Sequence, residues 1–214
     1  MSSQILADTA QPGRRERRKA ETRARLLSAA RHLFSQRGYD ATRPQDIAQQ
    51  ADVAAGTFYV HFPDKRAAFL AFTDQAAQEL MDRLRARIQG AAGFEQRLTR
   101  SLEALLSYSD ENPGVLAACF ADAGVISAGL PAGASLRDRL ARSLAQGLRL
   151  GMARGELHPD YDAEVIAAGI VGLVQHALSD AREHASRTLL LENVTRFCAR
   201  ALVCPRPARS RGPR

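Results

Sequence analysis

The sequence predicts an all-α protein of about nine helices, an N-terminal three-helix helix-turn-helix head joined to a C-terminal helical bundle. Three observations predict it. Apolar residues recur at the helical period along most of the 214 residues, alanine, leucine and arginine dominate the composition, and the breakers between apolar stretches come at helix-length intervals, with no convincing strand alternation or internal repeat. Hydrophobic residues make up 45% and charged residues 25%, the balance of an ordinary globular protein.

Residues 1–17 are polar, contain Pro12 and Gly13 and end in a run of arginines, so they are expected to be a flexible basic arm. Leu26, Leu27, Ala30, Leu33 and Phe34 then mark a first helix over 18–36, stopped by Gly38. Thr42, as a capping hydroxyl, and Pro44, tolerated in a first turn, open a short helix over 44–51. Asp52 and Val53 turn the chain into a third helix over 54–62, which Pro63 ends, and Asp64 is placed to cap a long helix over 65–88.

Five more helices are expected over 94–109, 113–127, 134–153, 161–184 and 187–203, separated by Asn112-Pro113, Gly129-Leu130-Pro131, Gly155 and His158-Pro159. The tail 204–214, rich in proline and arginine, is expected to be disordered. Residues 18–66 form one predicted domain and 67–203 a second.

The net charge of +7 is unevenly spread. Residues 1–66 carry 12 Lys/Arg against 7 Asp/Glu, residues 67–203 carry 14 against 16, and the tail carries 4 against none. A basic head on a slightly acidic remainder suits one part that meets phosphates and another with a different task. The bland reading, solvated arginines without a partner, has to be excluded by motif.

Cys119, Cys198 and Cys204 lack metal spacing and read as reduced core residues. His32, His61, His158, His176 and His184 make no paired ligand set, and no Gly-rich phosphate loop follows a strand, so neither an enzyme nor a cofactor or metal is expected. With no signal-peptide core and no apolar run of ~18 to 20 residues, a cytoplasmic protein without membrane contact is expected.

The segment 42–65 carries the functional signal. Ile47, Ala48, Ala51 and Val53 can lock two short helices together. At about 100° per residue Phe58 and Phe62 fall on one side of the third helix and Gly56 and Val60 on the other, with Thr57 and His61 on one flank and Tyr59 on the other. The far side is free to face a duplex and the flanks to reach phosphates. Val60 either covers a helix edge or touches a thymine methyl, and the arginine run 14–19 is either a solvated arm or a DNA contact.

Thr22-Arg23, Ala29-Ala30, Leu33-Phe34, Gly38-Tyr39, Thr42, Ile47-Ala48, Ala51, Val53, Gly56-Thr57-Phe58-Tyr59, His61-Phe62 and Lys65 together resemble the signature of the tetracycline-repressor (TetR) family. The resemblance covers residues 22 to 69. It implies an all-helical homodimer with DNA-reading heads, a double-stranded operator as partner, and a small-molecule effector held in the larger domain. Carried over, Thr57, Tyr59, His61 and Lys65 would contact phosphates, and Gln45, Ala55, Gly56 and Val60 would face bases. Three positions depart from the family's usual residues: Arg43 stands where a second threonine is common, Asp52 where glycine is, and Ala54 where serine is. Arg43 would then offer a charged phosphate contact, while Asp52 would repel phosphate unless it turns away or caps the third helix.

In the larger domain the run from Val165 to Val174 is so apolar that burial nearly all round is expected. With Leu190, Val194 and Phe197 of the last helix it suggests a four-helix dimer interface that includes Leu173 and in which Gly169 and Gly172 allow close approach, and the resemblance points to the same place. Phe72, Leu105, Tyr108, Cys119, Phe120, Met152 and His176 are the expected effector-pocket residues, with ordinary core packing as the alternative for each. These features predict a repressor released from a pseudo-palindromic operator by its effector. The alternative is a ligand-independent dimeric DNA-binding protein.

Overall fold

A computed structural model describes residues 13–121, 135–180 and 184–204. The described residues form nine helices: α1 (Arg14–Arg37), α2 (Pro44–Gln50), α3 (Ala55–His61), α4 (Lys65–Ile88), α5 (Gly93–Glu111), α6 (Val115–Ala121), α7 (Leu136–Ala153), α8 (Ala163–Asp180) and α9 (His184–Leu202). The chain divides into two compact units, residues 1–72 and 73–214. The tail from 205 onwards, and residues 122–127 of the expected sixth helix, lie outside the described residues.

In the first unit α1 begins earlier than expected. The Gly13 amide donates to the Glu16 carboxylate at 3.1 Å, so the arginine run is helix from Arg14 and not an arm. Gly38, at φ +78°, stops α1 in a backbone conformation that side chains resist, and its amide donates to the Phe34 carbonyl at 3.0 Å. Thr42 does not cap α2. It is fully buried and its hydroxyl donates back to the Gly38 carbonyl at 2.8 Å, leaving the Arg43 amide to donate to Asp46 Oδ2 at 3.1 Å. Asp64 does cap α4, accepting from the Ala67 amide at 2.7 Å. The core is aromatic: Phe34 stands edge-on to Phe69 at 5.0 Å between ring centres, and Phe69 to Tyr39 at 5.1 Å and to Phe72 at 5.8 Å.

In the second unit α5 buries the stripe Phe94, Leu98, Leu102, Leu105 and Tyr108. Ser135 caps α7 by accepting from the Asp138 amide at 3.2 Å, and Asp162 starts α8 by accepting from the Val165 amide at 2.9 Å. α7 packs along α8 and α5 along α9. An isolated antiparallel bridge joins Leu157 to Val203, with the His158 amide donating to Leu202 at 2.9 Å and the Cys204 amide to Glu156 at 3.1 Å. It ties the loop after α7 to the end of α9.

α8 is not buried all round within the chain. Val165, Ala168, Gly169, Leu173 and His176 are exposed along one stripe, and only the opposite face, with Ala167, Ile170 and Val174, is covered. Val194, expected at the interface, is buried in its own unit because its face of α9 turns inward with Cys198; Phe197 is exposed, and the Leu190 side chain lies outside the description. Burial pushes the Cys198 thiol up to about 11, so it is an inert core residue. Among the described residues no helix is long and apolar enough to cross a membrane.

Candidate functional site

α2 and α3 form a tight pair because small and apolar residues meet between them. Ile47, Ala48 and Ala51 of the first helix are buried, as are Phe58 and Phe62 at the second, whose rings lie 5.7 Å apart. The turn is closed by the Val53 amide donating to the Ala48 carbonyl at 3.0 Å, and Asp52 takes φ +52° to make it. Asp52 is exposed and does not cap α3, whose cap residue Ala54 offers no side-chain acceptor.

This anchoring leaves Ala55, Gly56, Tyr59 and Val60 of α3 exposed, with Arg43 and Gln45 exposed at the start of α2. Tyr59 is 52% and Val60 68% exposed, adjoining each other on the surface of α3 away from buried Phe58. Thr57 is half-buried. Of these seven predicted residues at the two short helices, six are therefore exposed and one half-buried.

The other two differ in their surroundings, which their spacing did not reveal. Lys65 Nζ donates to the Tyr39 carbonyl at 2.9 Å and lies 4.1 Å from the centre of the Tyr39 ring, so the ammonium is already engaged in holding the head together. His61 is half-buried, and its Nδ1 is buried without a hydrogen-bond partner. Burial first, then the charges of Lys19 and Arg23, hold its pKa below the ordinary value of 6.5. Lys19 and Arg23 are thus brought near the end of α3, and Arg23 sits over the Phe62 ring at 5.0 Å. Sequence reasoning left Lys19, the last residue of the run 14–19, between a solvated arm and a DNA contact and gave Arg23 no site role, although both belong to the basic, exposed part of α1.

A second feature lies wholly within residues 73–214. A cavity of about 150 Å³ is walled by Met81, Leu84, Arg85 and Ile88 of α4, by Phe94, Arg97, Leu98, Ser101, Leu102 and Leu105 of α5, by Phe120 of α6, by Leu140, Ser143, Leu144 and Gly147 of α7, and by Ile170, Val171 and Val174 of α8. Leu105 and Phe120 are the predicted pocket residues that reach it. The rest do not line it: Phe72 belongs to the aromatic core of the first unit, Cys119 is buried and Met152 half-buried elsewhere, and His176 points outward from α8. Tyr108 is buried, but its hydroxyl is taken up by Glu79 at 3.1 Å.

An outward recognition helix on a buried aromatic anchor, preceded by a short helix and a tight turn, is a helix-turn-helix. Residues 26–72 match the family model of bacterial regulatory proteins of the tetR family. The head is that of the TetR family. The chain is similar to the HTH-type transcriptional regulator UidR of Escherichia coli K12, 26% identical over 165 residues that cover 74% of this chain and 81% of the relative. Its fold is that of a TetR transcriptional regulator from Chloroflexus aurantiacus, with TM-score 0.72, 22% identity and coverage of 88% of this chain and 100% of the other. A Saccharomonospora viridis protein solved in complex with choline has TM-score 0.69, 24% identity and coverage of 87% and 100%. The protein is therefore an HTH-type DNA-binding transcriptional regulator, and the family of its head is not an enzymatic one.

Proposed function

We propose that the protein is a homodimeric repressor. Two copies of α3 enter successive major grooves of a pseudo-palindromic operator roughly one helical turn, ~34 to 36 Å, apart. Tyr59, Thr57 and Arg43 bind phosphates at the groove edge, while Gln45, Ala55, Gly56 and Val60 face the bases. A small molecule in the cavity of the second unit shifts the population toward a head spacing that no longer fits DNA. Residues up to 66 serve as the head and 67–203 as the effector and dimerisation part, acting on DNA in the cytoplasm.

The observation that carries this reading is the pairing, in one chain, of an exposed recognition helix with an apolar cavity it does not use. The choline complex of the Saccharomonospora viridis protein supports a small-molecule role for such a domain. The dimer is supported by the stripe Val165, Gly169 and Leu173 on α8 together with exposed Phe197 on α9, apolar surface that a two-fold partner would cover.

Selection of bound duplexes from a random pool tests the proposal, with sedimentation of the complex on the selected sequence. Inverted half-sites about one turn apart, occupied by two or more copies, are expected. A single uninverted site bound by one copy would refute the two-fold arrangement.

A further inference from the structure

The cavity has two chemically different ends. α4 and α5 run antiparallel, since Tyr108 near the end of α5 reaches Glu79 while Arg100 near its start donates to the Gln89 carbonyl just after α4. Arg85 and Ile88 therefore share one end of the cavity with Phe94 and Arg97, and Met81, Leu105 and Phe120 share the other. Among the described residues the second end is apolar throughout. At the first, two guanidiniums and no carboxylate of the described residues line the wall.

Both arginines are paired outside the wall. Arg97 Nη2 meets Glu156 at 3.0 Å and Arg85 Nη1 meets Asp82 at 2.5 Å, each carboxylate being partly open to water. Glu156 also has Arg154 within 4.0 Å, so it keeps a cation and water if Arg97 turns to another anion. The exchange is therefore inexpensive on the protein's side. An ammonium buried at this end would meet two guanidiniums while the nearby acids, Glu156 and Asp82, are already paired with them, whereas a carboxylate gains charge-assisted bonds from a planar fork.

Resting on the reading of this cavity as the effector site, we propose that it binds a small hydrophobic carboxylate. The chain or ring lies among Leu98, Leu102, Leu105, Leu144 and Phe120, and the carboxylate lies on Arg97 with Arg85 beside it. A volume of about 150 Å³ suits a tail on the order of six to eight carbons, because cavities of that order lined by Leu, Ile and Phe take up benzene.

The test is calorimetric titration of the full chain with octanoate, 1-octanol and octylammonium, one tail with three heads, below micellar concentrations. Octanoate should bind about tenfold tighter than octanol, and octylammonium weakest. Arg97→Gln should bring octanoate down to octanol's affinity while leaving octanol within about twofold. Gly147→Leu should abolish binding of all three, because a Cβ there meets open space at the cavity wall and a larger side chain fills it. Circular dichroism melts of each ligand-free variant check folding, and the head-group series on the unaltered chain needs no variant. Octanol or octylammonium binding as tightly as octanoate, or an octanoate preference that survives Arg97→Gln, overturns the carboxylate while leaving the cavity as a site. Absence of binding, or binding that survives Gly147→Leu, overturns the cavity reading itself.

Discussion

Phe58 and Tyr59 are neighbours on α3, yet replacing each by alanine should fail in different ways. α3 has seven residues, too few to hold a helix alone, so its shape depends on what anchors it. Phe58 is fully buried beside Phe62, and Phe58→Ala should remove about 3 to 5 kcal/mol, a large share of the stability of so small a unit. Tyr59 is 52% exposed, so Tyr59→Ala removes only part of a side chain's burial, about 1 kcal/mol or less. On DNA the weights reverse, because a hydroxyl bonded to a phosphate contributes about 1.5 to 3 kcal/mol, or about 10- to 100-fold in affinity. Fluorescence anisotropy on a selected operator at fixed salt, run beside thermal unfolding, separates the two. Tyr59→Ala is expected to weaken binding at least about tenfold with its melting point nearly unmoved, while Phe58→Ala loses both. Wild-type affinity in Tyr59→Ala, or a melting point lowered as far as in Phe58→Ala, would refute the anchoring argument.

Other outcomes follow from single observations. Asp52 holds φ +52° in the turn, so Asp52→Gly should stabilise the head by about 0.5 to 1 kcal/mol and raise its melting point; no gain would mean that the turn is unstrained. On α7, Gly151→Ala would put a Cβ 2.9 Å from Cγ of the buried Leu157, whereas Gly147→Ala meets open space. The first should destabilise by about 1 to 3 kcal/mol and the second stabilise by up to about 1, and equal melting shifts would count against the packing described. His61 has a lowered folded-state pKa, so the unfolded chain binds the proton first. Stability of the head should hold above pH 6.5, decline as pH falls below it, and lose that decline in His61→Gln; parallel pH profiles would exclude His61 as the source. Operator affinity should fall steeply between 50 and 200 mM salt, and a flat response would contradict phosphate docking.

Helix positions were legible because apolar spacing and breakers are local signals. Pro63, Asn112-Pro113 and Gly38 end helices within a residue or two of the expected places. The two faces of α3 were legible for the same reason, since period alone puts Phe58 and Phe62 opposite Gly56 and Val60. Roles set by distant partners were not. Thr42 looks like a cap until the Gly38 carbonyl competes for its hydroxyl, the bond from Lys65 to the Tyr39 carbonyl has no signal in the spacing, and the arginine run lacks the apolar rhythm that marks a helix.

The cavity was the least legible feature, because it consists of space that five helices leave unfilled and no residue type encodes that. Large apolar side chains were the natural guess for its wall, and Phe120 does reach it, but Tyr108 and Phe72 are packed into core and do not. The better signal was a charge on a buried stripe. Arg97 interrupts the run Phe94, Leu98, Leu102 and Leu105 on α5, and a guanidinium on such a face needs a counter-charge, a route to water or a ligand. Here it has the first two in Glu156 and the partly open end of the cavity. Its position on the wall leaves the third available, which is why head-group preference, more than tail length, is the measurement that distinguishes a ligand site from imperfect packing.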